Sequence, residues 1–177
     1  MRLRLFCILV LLAATFGACA PSFDADLPEV EVTQRGVKVP AAPASPSGGE
    51  VAVSATFALS SSDAAWAKRM NRAVQIHHLA IAPGGTLPSL DFIAAAHVTV
   101  APSASPETAT TILDYERAAD APAASAIQVD LPAPVDITVA WTADTTVVEL
   151  DVAGQLPTED WTIDVTLELS GKIAYKY

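Results

Sequence analysis

From Trp161 to Leu169 every second residue is apolar: Trp161, Ile163, Val165, Leu167 and Leu169 alternate with Thr162, Asp164, Thr166 and Glu168. Strand side chains point alternately to two faces, so this period places the first set in a core and the second in water. On that reading a change of Asp164 to serine stays within about 0.5 kcal/mol of wild type. Val51, Val53, Ala55, Phe57 and Leu59 repeat the pattern, as do Phe92, Ala94, Ala96, Val98 and Val100. Further strand signals occupy 74–82, 111–116, 127–131, 135–142 and 147–152. About nine strands are too many for one open sheet in so short a chain. The expected fold is all-β, a β-sandwich of the immunoglobulin-like or a related kind, with one short helix.

Three segments leave the topology open or depart from the strand pattern. Val30 and Val32 are followed, after Arg35-Gly36, by Val37 and Val39 with the opposite parity. A two-residue hairpin explains the switch most simply, and a bulge at Gly36 also reconciles it. At the other end one parity persists from Trp161 through Leu169 to Ile173, Tyr175 and Tyr177. This excludes a two-residue hairpin at Ser170-Gly171 and leaves a three-residue loop or, as the preferred solution, one long strand kinked at Gly171. Ser62-Asp63 followed by AAWAKRMNRA predicts the single helix, with Trp66 and Met70 on its buried side.

The amino terminus carries a different message. Arg2 and Arg4 precede an apolar run, Leu5 to Ala14, of the length of a secretory leader rather than a bilayer span. Pro21 disfavours cleavage by a general signal peptidase after Ala20. Phe16-Gly17-Ala18-Cys19 resembles the lipobox of bacterial lipoproteins, with Phe16 in place of the usual aliphatic residue. The resemblance implies that Cys19 is lipidated and becomes the first mature residue, so that residues 1–18 are a signal peptide. The strand signals, which begin only at Val30, leave a lipidated tether at 19–27 and a single β-sandwich domain at 28–177. Acyl chains at ~0.8 kcal/mol per buried methylene anchor such a protein stably in a membrane. Ala20, standing where aspartate favours inner-membrane retention, implies the outer membrane.

Without the leader the chain has eight Lys and Arg against twenty Asp and Glu, a net charge of −12. Nucleic acid is excluded as a natural partner on that balance. The expected partners are the membrane, through the lipid, and an envelope protein. Cys7 leaves with the leader, so the mature chain has one cysteine and no internal disulfide.

No chemical motif stands out. His77, His78 and His97 lie on two strand signals, and adjacent His77 and His78 are expected on opposite faces, so no metal set is completed. The acidic pairs Asp24 and Asp26, Asp114 and Glu116, and Glu149 and Asp151 lack the spaced ligands of a calcium loop. Lys68, Arg69 and Arg72 form a basic cluster on the predicted helix, which reads as a solvated face. Trp141 and Trp161 share the parity of aliphatic neighbours and read as core. No nucleophile elbow or phosphate loop occurs, and no catalytic residue, metal or cofactor is expected. The reading is a non-enzymatic binding or structural module, with a hydrolase or metal-dependent enzyme built from distant residues as the alternative.

Overall fold

The computed structural model describes residues 22–43, 50–59, 73–118, 121, 125–142 and 145–176. Among these residues eight strands form two four-stranded antiparallel sheets. The first sheet has the order β1 (Ser22–Val39), β8 (Trp161–Lys176), β3 (Ala73–Pro83), β6 (Ile127–Asp136). The second has β2 (Val51–Ala58), β7 (Thr146–Gly154), β4 (Ile93–Pro102), β5 (Thr110–Glu116). The protein is therefore the expected all-β sandwich. Strands 1-8-3-6 facing 2-7-4-5 is the order of the eight-stranded jelly roll, so the fold is of the related rather than the immunoglobulin-like kind.

The alternating residues build the core. Val165, Leu167 and Leu169 of β8 are almost wholly buried, as are Leu79 and Ile81 of β3 and Val148, Leu150 and Val152 of β7. Trp161 is buried at the start of β8, and Trp141 is buried as the last residue of a short helix, α1 (Thr138–Trp141). Trp66, the predicted helix and its basic cluster lie outside the described residues.

Bulges account for most departures from the sequence reading. The hairpin expected at Arg35-Gly36 is absent. β1 runs on to Val39 as a single strand, with a register shift between Gln34 and Val37 where Gly36 has φ +65°. An extra residue there keeps Val30, Val32, Val37 and Val39 all buried, and the Asp164 carboxylate accepts the Gly36 N–H at 2.8 Å. Ser22–Leu27, read as tether, pair with Gly171–Lys176, so the sandwich begins where a spacer was expected. β8 is the one long strand preferred at the C-terminus.

The two strands expected at 127–131 and 135–142 are one strand and a helical turn. Asp136 ends β6 by accepting hydrogen bonds from the Thr138 N–H and hydroxyl at 2.8 and 2.6 Å. These two bonds hold its carboxyl below the ordinary value of 3.8. A depressed carboxyl contributes stability that is present above the unfolded value and lost as pH falls through the folded one. Acid unfolding monitored by circular dichroism is therefore expected to show a shallower limb below about pH 4 in Asp136→Asn than in wild type.

Candidate functional site

Cys19 and the rest of the leader lie outside the described residues. The three histidines are divided between the outer faces of the two sheets. A bulge in β3 between Ile76 and His78 puts both His77 and His78 on the solvent side, correcting the expectation of opposite faces. His78 Nδ1 meets the exposed Asp130 at 2.7 Å, and His77 Nε2 meets the Ser170 hydroxyl. His97 is on the far side of the molecule, paired in register with Asp114 of β5 and Asp151 of β7. Its Nδ1 is 3.6 Å from Asp114, while Asp151 accepts the Ser54 hydroxyl.

Among the described residues no three His, Cys, Asp or Glu side chains are grouped to hold a metal ion. No carboxylate among them orients His77 as the base of a nucleophile would need. Of the other acidic pairs, Asp26 meets Lys172 at 3.3 Å, and Asp114, Glu116, Glu149 and Asp151 lie on the second sheet. The strands of that sheet contain no Lys or Arg at all.

A different constellation gathers at one end of the second sheet, where all four strands begin or finish. Glu50 precedes β2, Gln155 follows β7, Asp91 and Phe92 precede β4, and Arg117 follows β5. Together with Ile93 and Ala94 they line a cleft of about 280 Å³. Its backbone is well fixed: the Arg117 N–H donates to Ala94 O at 2.8 Å and the Gln155 N–H to Phe92 O at 3.0 Å. Phe92 stacks edge-on against Trp161, with centroids 5.1 Å apart.

The cleft lies at a further bulge, between Ile93 and Ala95, opposite Gly154. Ile93 turns into the core, and Phe92, expected on the buried stripe of β4, becomes half-buried in the cleft wall. The Arg117 side chain reaches back so that Nη1 donates to Asp91 O at 2.5 Å. Its Nε and Nη2 are buried with no hydrogen-bond partner, as is Trp161 Nε1. Buried donors are normally paired, and these atoms are exceptions among the described residues. Neither Arg117 nor Glu50 is singled out by the sequence, because they meet only once four strand ends are brought together.

No known family profile matches the chain, and no curated protein is similar enough to count as a relative. Among solved structures, the chain is similar to one titled Desmodium yellow mottle tymovirus, at 12% identity and a TM-score of 0.29, over 89% of this chain and 93% of that one. A structure of infectious bursal disease virus, Gx strain, aligns at 12% identity and a TM-score of 0.27, over 88% of this chain and 36% of that one. Likeness this slight says nothing of what the present protein does.

Proposed function

We propose that this protein is a lipid-anchored envelope module whose jelly roll serves binding rather than catalysis. The observation that carries the reading is Phe16-Gly17-Ala18-Cys19 at the end of an apolar leader. The fold is compatible with it: Ser22, the first described residue and already paired in β1, lies three positions after Cys19 in the sequence. On this reading the Ser22 end of β1 and its partner Lys176 face the bilayer, because three residues of chain reach no more than about 11 Å. The outer membrane is the proposed address, from Ala20 after the cysteine. A fixed cleft formed by strand ends is the usual place for a sandwich to recognise a ligand.

The test is metabolic labelling. Cells producing the full chain and fed labelled palmitate are expected to label it, and Cys19→Ser is expected to abolish the label. A wild-type chain that takes up none overturns the anchor.

A further inference from the structure

We propose that β2 is a docking edge for a second copy of this chain, the two β2 strands pairing antiparallel about a two-fold axis at Ala55 and joining the second sheets of two molecules edge to edge. The interface depends on neither the cleft nor the lipid.

Among the described residues four strands end the sheets: β1 and β6 in the first, β2 and β5 in the second. Three of them carry features that discourage a further strand. β1 contains Pro28 and two register shifts, β6 contains Pro132 and Pro134, and the short β5 is bulged against β4 and carries Asp114 and Glu116. β2 has no such guard. Its residues, VAVSATFA, include no proline and no charge and run against β7 without a register shift. A plain edge of this kind is a template for another strand.

The direction of its backbone groups follows from one hydrogen bond. The Leu59 N–H donates to Thr146 O at 3.0 Å. Residues of an antiparallel pair alternate between those bonded to the partner strand and those turned away, so with this unbroken register Val51, Val53, Ala55 and Phe57 bond β7 as Leu59 does. Ala52, Ser54, Thr56 and Ala58 therefore direct their N–H and C=O groups to the open edge, where no described strand meets them.

The strand fits its own antiparallel copy. With Ala55 on the axis, Ser54 lies opposite Thr56 of the second copy and Ala52 opposite Ala58, so every edge-directed group is met. On the outer face hydroxyl meets hydroxyl, and the Ser54 Oγ, which donates to Asp151, can still accept from Thr56. On the inner face Val53 meets Phe57 and Val51 meets Leu59. Val51, Phe57 and Leu59 are only half-buried in the single chain, and the second copy covers them. Charge permits the contact as well. A chain with −12 resists self-association wherever carboxylates meet, but Glu50 falls outside the paired stretch, and Glu149 and Asp151 stand one strand behind it on β7. Three strand spacings, about 14 Å, separate them from those of the second copy, beyond the screening length of about 8 Å.

Sedimentation equilibrium of the full chain in excess detergent, combined with hydrogen exchange of backbone amides, tests this. The protein mass is expected to be twofold that of one chain at about 100 µM and to fall towards one chain at about 1 µM, as for a small interface. The Ser54 and Thr56 amides are expected to exchange about tenfold more slowly at the higher concentration. Thr56→Pro removes an edge-directed N–H and no bond to β7, and is expected to give a single chain at both concentrations. Ser54→Lys/Thr56→Lys changes two exposed side chains and sets lysine against lysine across the axis. It is expected to give a single chain whose thermal midpoint is within about 3 °C of wild type. A single wild-type chain at about 100 µM overturns the proposal. It does so whether the edge amides exchange freely, as when a different protein supplies the strand, or slowly, as when a segment of this same chain covers them. A dimer that survives in either folded variant also overturns it, because the contact then lies elsewhere.

Discussion

Leu167→Asp is expected to abolish cooperative folding. Leu167 has no exposed surface and lies in the middle of β8, flanked by Val32 of β1 and Leu79 of β3, both buried. A carboxylate placed there has no cation or donor to meet it, and the cost of several kcal/mol is on the scale of the whole stability of a domain, ~5–15 kcal/mol. Urea titration followed by tryptophan fluorescence reads the effect directly. Asp164→Ser serves as the comparison on the same strand. Alternation alone makes it neutral, but Asp164 holds the Gly36 N–H of the β1 bulge, so a loss of about 0.5–1.5 kcal/mol is expected instead. A wild-type midpoint for Leu167→Asp would show that β8 is not central to the core.

Gly154→Ala is expected to be nearly as damaging for a different reason. A Cβ at Gly154 would stand 2.2 Å from the Phe92 carbonyl oxygen and 2.8 Å from the Ala94 nitrogen. Both are backbone atoms, so relief requires β4 and β7 to part at the bulge beside the cleft. The residue's φ of +151° adds strain for any side chain. Together these are expected to cost about 3 kcal/mol or more. Gly36→Ala separates the two contributions, because Gly36 has φ +65° with nothing within 4 Å of its Cβ position. It is expected to lose only about 1–2 kcal/mol from backbone conformation. Equal denaturation midpoints for the two variants would contradict the close approach of the strands.

Much of the fold was legible in the sequence because alternation is written locally. The stripe from Trp161 to Leu169 and the pattern at Val51–Leu59 needed no knowledge of partners to be read as half-buried strands. Bulges were not legible to the same degree. At Gly36 the parity switch announced either a turn or an extra residue, and only the pairing of β1 with β8 decides between them. At His77 the extra residue left no mark, since a histidine is acceptable on either face. The strand expected at 135–142 failed because Asp136 and Thr138 form a local hydrogen-bonded turn that competes with extension. The candidate site was invisible for a more basic reason: Glu50, Asp91, Arg117 and Gln155 are scattered over a hundred residues and share only the end of a sheet.

The central claim, that this jelly roll is held at a membrane through Cys19, is tested most directly by mass spectrometry of the amino-terminal peptide from membrane-extracted protein. The account predicts a chain beginning at Cys19, its mass raised by covalently attached acyl groups, and no peptide from residues 1–18. An intact leader, or an unmodified amino terminus at any other residue, would contradict it.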